Sequence, residues 1–326
     1  MTTTTGRPEF DEHVAYEPLV GTGHRGDRIF GGMASGSGIL VVALVTAVGA
    51  FLLIQAVPAL LKNQANFLTD RVWDLGNPDA PKFGIPDLLW ATVAIAVIAM
   101  VIAVPLAIGV ALFLTNYAPA RVSQPFAYVV DLLAAVPSII YGLWGIKVLL
   151  PYSRDVQDFL DRTLGWIPIF KGVGVSQGTL FLAGVVLAIM ILPIVTAISR
   201  EVFDTTPTAH KEGALALGAT RWEMVRTAVL PFGRAGVISA AMLGLGRALG
   251  ETIAITIIVS QVATFNFSIF NGGQTFASKI ANNAAEFDSP TKTGAYIAAG
   301  LVLFVLTFVV NAVARIVIER RKAFTE

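Results

Sequence analysis

Arg247 and Glu251 stand four residues apart near the middle of an otherwise apolar run, 234–262. At the centre of a bilayer an ionisable side chain costs about 2.5–3.5 kcal/mol to insert, so such groups face a protein interior or a water-filled path. An arginine placed there offers planar donors to a tetrahedral oxyanion. Glu251 would then hold the guanidinium and keep it from trapping the anion too tightly. The same two residues can instead neutralise each other as an i,i+4 pair and serve only as a buried tie between helices. Thr252, Thr256 and Ser260 continue at four-residue spacing, either as path hydroxyls or bonded back to their own helix carbonyls. Ser138 and Tyr141 follow Pro137 in a second apolar run, 124–150. The proline frees a carbonyl and loosens that helix, which gives either a plain kink or a hydroxyl-lined path beside the Arg247 helix. The chemistry expected of Arg247, Glu251, Thr252, Ser138 and Tyr141 is passage of an anion, with no catalytic residue among them.

The elements that must hold these side chains are membrane helices. Of 326 residues, 55% are hydrophobic and only 14% charged, the composition of a polytopic membrane protein. The fold class expected is all-α, because a bilayer core about 30 Å thick takes roughly 20 apolar residues as helix, and six runs reach that length: 36–61, 85–117, 124–150, 176–202, 234–262 and 294–318. Gly236, Ala240, Gly244 and Ala248 recur every fourth residue, a ladder of small side chains suited to close helix packing. Arg247 and Glu251, each three residues beyond a rung, are expected to project near that packed face and away from lipid. Residues 1–35 read as a polar cytoplasmic segment, poorly ordered until Ile29-Phe30, and 319–326 as a cytoplasmic tail. They carry no cleavable-signal pattern, so the first span is expected to be retained.

With both termini inside, loop residues place thirteen Lys and Arg on the cytoplasmic side against eight outside, the direction of the positive-inside rule. The expected location is thus a membrane crossed several times, with both termini on its cytoplasmic side. Trp73, Trp166, Phe265 and Phe267, in the outer loops 62–84, 151–175 and 263–293, suit the headgroup level. Neither Asp131 nor Lys147 is read as a site. A net charge of +1 gives no electrostatic case for nucleic acid. Zero cysteines exclude thiolate metal sites and thiol nucleophiles, and the three histidines lie outside the apolar runs. No metal site and no bound cofactor are expected on this chain.

Between the fourth and fifth runs lies a polar insert, about 203–233. Thr206 is placed to cap a helix that Pro207 opens at its first turn, and Gly218 is placed to end it. Thr220 and Glu223 form a capping box for a second helix, which Pro231 is expected to close. Such a helix pair either docks in a groove of a soluble partner or lies on the membrane surface.

Glu212-Gly213-Ala214-x-x-x-Gly218 with Leu230-Pro231 resembles the EAA loop of bacterial ABC-importer permeases, whose pattern is Glu-Ala-Ala-x-x-x-Gly followed by Ile-x-Leu-Pro. Gly213 stands for an alanine and Ala228 for the isoleucine. The resemblance extends over nearly the whole chain to the PstC-type permeases of phosphate-specific importers. It rests on Phe30-Gly31-Gly32-Met33-Ala34-Ser35-Gly36-Ser37-Gly38, on 135–145 (AVPSIIYGLWG) and on 246–252 (GRALGET). The last string is also similar to the sister PstA-type subunit. The resemblance implies a phosphate path and docking of Glu212, Gly213, Ala214, Gly218 and Pro231 on a cytoplasmic ATPase. It also implies three partners: a homologous PstA-type permease, a PstB-type ATPase dimer and an extracytoplasmic PstS-type phosphate-binding protein. No Gly-x-x-x-x-Gly-Lys-Ser/Thr loop occurs in the sequence, so ATP and Mg are expected on the partner, and the chain reads as a transport subunit and not an enzyme. An ion-gradient-driven transporter or channel is the alternative, which predicts internal symmetry, broken helices and intramembrane proton or sodium sites.

Overall fold

The structure, a computed structural model, describes residues 24–172, 178–262 and 265–322. The first 23 residues of the N-terminal segment and the end of the C-terminal tail lie outside the described residues. Contacts divide the chain into two units, 1–50 and 51–326.

The described part of the first unit belongs to α1 (His24–Lys62). This helix starts twelve residues before the expected span, so the stretch from His24 up to Ile29-Phe30, expected to be poorly ordered, is helical. Gly31, Gly32, Gly36 and Gly38 lie inside it. A helical glycine costs only about 1 kcal/mol, and no proline lies between His24 and Gly38 to interrupt the turn-by-turn hydrogen bonds. Ile29, Phe30, Met33 and Ile39 are exposed, as lipid-facing side chains would be.

In the second unit a two-residue ribbon, β1 (Trp73–Asp74) with β2 (Lys82–Phe83), precedes α2 (Pro86–Leu112), which runs into a π turn at Phe113–Tyr117. Next come α3 (Ala120–Ala134), α4 (Ser138–Trp144), a π turn (Gly145–Leu149) and α5 (Leu150–Leu164). Then follow α6 (Leu180–Asp204), α7 (Thr208–Ala216) and α8 (Arg221–Met224). The chain continues through α9 (Leu230–Gly250), α10 (Ile253–Ile258), α11 (Phe276–Asn282) and α12 (Pro290–Lys322). Among the described residues five helices are long and apolar enough to span a membrane, and a sixth span forms if the bent pair 120–134 and 138–164 is counted as one. The protein is an all-α, multi-pass membrane protein. Its third span is not one rod: the chain turns by 93° at Ala135-Val136-Pro137.

The core lies between α2, α6 and α9. On α2 the fourth-residue series Ala91, Ile95, Ala99, Ala103, Ala107 and Ala111 is buried throughout, which brings its backbone close to α6. A Cβ on Gly184 of α6 would stand 2.6 Å from Ile98. The expected ladder on α9 packs in the same way: Ala240 and Ala248 are buried, and a Cβ on Gly244 would come 2.9 Å from Val195 of α6. Small side chains do here what hydrophobic burial does in water, because in lipid only closer packing separates a helix–helix contact from a helix–lipid one. Replacing Gly244 with valine should therefore overpack the α6–α9 seam and destabilise the subunit by roughly 1–3 kcal/mol. The check is thermal unfolding in detergent; an unshifted melting point would contradict this reading of the seam.

Asp131 of α3 pairs with Arg200 of α6 at 3.6 Å, tying the start of the bent span to the end of the fourth. Trp73, expected at the headgroup level, is instead stacked between Phe83 and Tyr296, with ring centroids 5.7 and 5.5 Å away. Trp166 is exposed, as an interfacial anchor would be.

Candidate functional site

The helix pair between α6 and α9 forms largely as local capping dictates. In α7, Gly218 has φ +84°, the left-handed conformation that glycine adopts without penalty. Its N–H donates to the Leu215 carbonyl at 3.0 Å and that of Ala219 donates to the Ala214 carbonyl at 3.2 Å, so two otherwise orphaned helix-end acceptors are satisfied. Thr220 caps α8 with a complete box: its backbone and hydroxyl donate to a Glu223 carboxyl oxygen at 2.7 and 2.8 Å, and its hydroxyl accepts from the Glu223 N–H at 3.3 Å.

Two expectations in this segment are corrected. Thr206 does not cap α7; Pro207 occupies the cap position, and the Thr206 hydroxyl is buried without a partner among the described residues. Pro231 does not close the second helix, because 221–250 is one continuous helix. A π turn at Val225–Val229 immediately precedes the proline. The wider turn leaves room for the pyrrolidine ring and shifts the backbone bonding where its missing N–H would otherwise leave a gap.

Glu212, Gly213, Leu217 and Gly218 are exposed on this pair, Leu217 at 91%. Ala214 instead faces inward, against a cluster of Phe203, Met224 and Val225. Gly213 and Ala228, the two departures from the EAA pattern, line one hollow of about 450 Å³ together with His210, Pro231 and Phe232. A Cβ added at Gly213 meets no atom within 4 Å. Gly213→Ala should thus stabilise α7 by roughly 0.5–1 kcal/mol, read as an unchanged or higher melting temperature of the purified subunit; a lower one would show that the position requires glycine.

At the other end of α9 the expected Arg247–Glu251 pair is corrected. The helix stops at Gly250, Glu251 is extended (φ −67°, ψ 125°), and α10 restarts at Ile253. Once the helix ends, four residues no longer bring the two side chains onto one face. No ion pair or hydrogen bond joins them among the described residues. Glu251 is buried and its Oε1 accepts from the Ala254 N–H at 3.2 Å, capping the restarted helix. Arg247 is exposed, not turned onto the packed face as expected, and Tyr141 lies within its electrostatic reach.

The predicted polar residues of the third span come to the same place, with altered roles. The Tyr141 hydroxyl donates to the Leu133 carbonyl at 2.8 Å, satisfying an acceptor that the break at Pro137 frees. Ser138 is half-buried in the first turn of α4. Gly142 admits α10 closely; a Cβ there would sit 3.1 Å from the Ala254 Cα. Two interrupted spans thus pack against each other beside Arg247. The Thr252 hydroxyl donates to the Gly250 carbonyl at 3.2 Å, and the Ser260 hydroxyl to the Gly178 carbonyl at 2.9 Å, whereas the buried Thr256 hydroxyl has no partner among the described residues. Back-bonding therefore accounts for Thr252. The break itself was missed, although Gly250 ahead of a capping-type Glu251-Thr252 pair is a local signal for it.

Residues 103–323 match the family described as the binding-protein-dependent transport system inner membrane component. The chain is 55% identical over 295 residues to the phosphate transport system permease protein PstC 2 of Mycobacterium tuberculosis, covering 89% of this chain and 91% of that protein. It is 40% identical to PstC of Mesorhizobium japonicum, with 92% of each chain covered. Among solved structures, the inward-facing MetNI methionine ABC transporter superposes with TM-score 0.53 at 17% identity over 72% of this chain and 94% of that one, a likeness of fold. These relatives are named as permease subunits of transport systems. The helices, the EAA-like pair and these matches together place the chain in the family of binding-protein-dependent inner-membrane permeases, in its PstC branch.

Proposed function

We propose that this chain is one of two homologous permease subunits of an ATP-driven phosphate importer. The observation that carries the reading is the 55% identity, over nearly nine-tenths of the chain, to a protein named as a phosphate transport permease. A PstA-type permease completes the translocation path, a PstS-type binding protein delivers phosphate from outside, and a PstB-type ATPase dimer holds ATP and Mg. Both termini face the cytoplasm.

The exposed face of α7, with Glu212, Gly213 and Gly218, docks on the ATPase; Ala214 and Pro231 position that face from within. Movement reaches the gate along a single rod, since the helix that starts at Arg221 runs unbroken to Gly250. From Pro231 to Arg247 it rises about 24 Å at about 1.5 Å per residue. Closure of the ATPase dimer tilts this rod and moves Arg247 relative to the α4–α10 contact, alternating access to the anion. Arg247 binds the oxyanion. Glu251 and Tyr141 act one step removed, fixing the two helix breaks, while Ser138 and Thr252 border them.

The test is radiolabelled phosphate uptake into vesicles reconstituted with all partner subunits, with and without ATP. ATP-dependent uptake is expected. Uptake that persists without the ATPase would replace this reading with an ion-gradient-driven transporter or channel.

A further inference from the structure

At the end of α2 and α6 away from the α7–α8 pair, a cleft of about 470 Å³ opens between the β1–β2 ribbon, the first turns of α2, and α11 with the segment before it. It does not belong to the gate around Arg247. Arg71, Lys279, Asp87, Trp90, Gln261 and Gln274 bring polar groups to its wall. Two cations against one carboxylate leave it a net positive charge.

Three donors in this cleft have no hydrogen-bond acceptor among the described residues. The Arg71 guanidinium is stacked 4.0 Å from the Phe265 ring centroid and 5.0 Å from that of Phe267. Stacking holds the guanidinium by its flat face and leaves the N–H edges available. The Arg71 side chain makes no hydrogen bond among the described residues; its nearest charge is Asp87, with Nε 3.8 Å from Oδ1. Lys279 Nζ lies 5.3 Å from the Trp73 ring centroid and likewise makes no hydrogen bond or ion pair there. Burial holds this ammonium below the ordinary lysine range, and the charge of Glu286 opposes that shift. The Trp90 indole Nε1 is buried with no partner among the described residues. A buried donor without an acceptor is costly and uncommon.

The cleft also holds the converse. Asp87 Oδ1 is buried and accepts no hydrogen bond among the described residues. An anion alone would suit Arg71 and Lys279 but would be repelled by the Asp87 carboxylate. A ligand that is both anionic and a proton donor suits all three. Near neutral pH phosphate keeps at least one P–OH group, whereas sulfate has none.

We propose that this cleft is a receiving site for a protonated tetrahedral oxyanion, bound by Arg71 and Lys279 and selected over sulfate by Asp87. The proposal rests on the phosphate-import reading above. It places the site on the outer side, where the anion released by a binding protein waits before the gate.

The test is equilibrium binding of radiolabelled inorganic phosphate to the complete permease–ATPase assembly in nanodiscs, without binding protein and with sulfate as competitor. Saturable phosphate binding with sulfate at least about tenfold weaker is expected. Arg71→Gln and Lys279→Gln should each weaken phosphate at least about tenfold, the scale of a lost charge-assisted hydrogen bond, and Lys279→Arg should retain it. Asp87→Asn should bring sulfate to within about threefold of phosphate. Should Arg71→Gln fail to assemble, Lys279→Gln and Asp87→Asn decide the matter, since Lys279 has no ion pair to lose. An absence of phosphate binding, affinity unchanged in Lys279→Gln, or selectivity unchanged in Asp87→Asn would overturn the proposal. ATP-dependent uptake in the same preparations separates the two readings. Phosphate transport with these binding results unchanged sinks the cleft alone, and an assembly that transports no phosphate sinks the importer reading.

Discussion

Arg247→Gln is expected to lower ATP-driven phosphate uptake by at least about tenfold while leaving insertion and assembly with the ATPase intact. Hydrogen bonds to a charged partner contribute about 1.5–3 kcal/mol, and every 1.4 kcal/mol is tenfold. Glutamine keeps the length and some donors of arginine but loses the charge and the paired geometry that fits an oxyanion. Assembly should survive because Arg247 is exposed and makes no ion pair or hydrogen bond among the described residues. A buried tie between helices would behave otherwise. Removing one member of such a pair strands the other charge, and stability falls by several kcal/mol. The measurement is uptake together with the yield of intact complex: lost uptake at normal yield supports a path residue. Normal uptake would return Arg247 to the status of a solvated helix end.

The second large effect is expected at Gly218. With φ at +84°, a β-branched side chain would have to adopt a conformation that costs roughly 1–2 kcal/mol even for less bulky residues. Gly218→Val should therefore unwind the end of α7, release the two terminal hydrogen bonds and displace the exposed Leu215 and Leu217. Association with the ATPase is predicted to weaken at least about tenfold, while the subunit still inserts, since nothing lies within 4 Å of a Cβ at that position. A pull-down of the ATPase from the assembled complex reads this directly. Retention equal to that of the unaltered chain would show that the turn, and with it the EAA-like pair, does not couple the subunits.

What was legible in the sequence follows the range of each interaction. The Gly218 turn and the Thr220–Glu223 box depend on neighbours a few residues away, and they stand in the structure where the spacing puts them; the apolar runs are helical, though the third bends and the fifth breaks. The small-residue ladder on α9 was also readable, because period alone defines its face. The matching alanine series on α2 carries the same signal and was passed over among so many apolar residues. Elsewhere the decisive interaction was distant or ambiguous. Thr206 and Pro207 both qualify as helix starters, and which one holds the cap depends on how α6 ends. Pro231 is a stop signal unless a π turn precedes it, and nothing local announces that turn. The stretch Ile253–Ile258 is as apolar as the residues of α9, so hydropathy runs straight across the break at Glu251. That break moved Glu251 from a partner of Arg247 to a cap, and it left the arginine available.

The cleft between the β1–β2 ribbon and α11 was invisible for the same reason. Arg71, Asp87 and Lys279 are separated by up to about two hundred residues in sequence, and no spacing rule links them. Trp73, which composition suits to the membrane interface, packs at a tilt against Phe83 and Tyr296 and forms part of the wall of this cleft.

In the proposed importer Arg247 is the anion contact at the meeting of two broken spans, moved by a continuous helix from the ATPase. A structure of the assembled complex trapped with phosphate tests that most directly. The predicted result is phosphate within hydrogen-bonding distance, about 3 Å, of the Arg247 guanidinium, with α4 and α10 alongside and the α7 face seated on the ATPase. Phosphate bound at mid-membrane away from Arg247, with that side chain paired to an acid of the second permease, would contradict it.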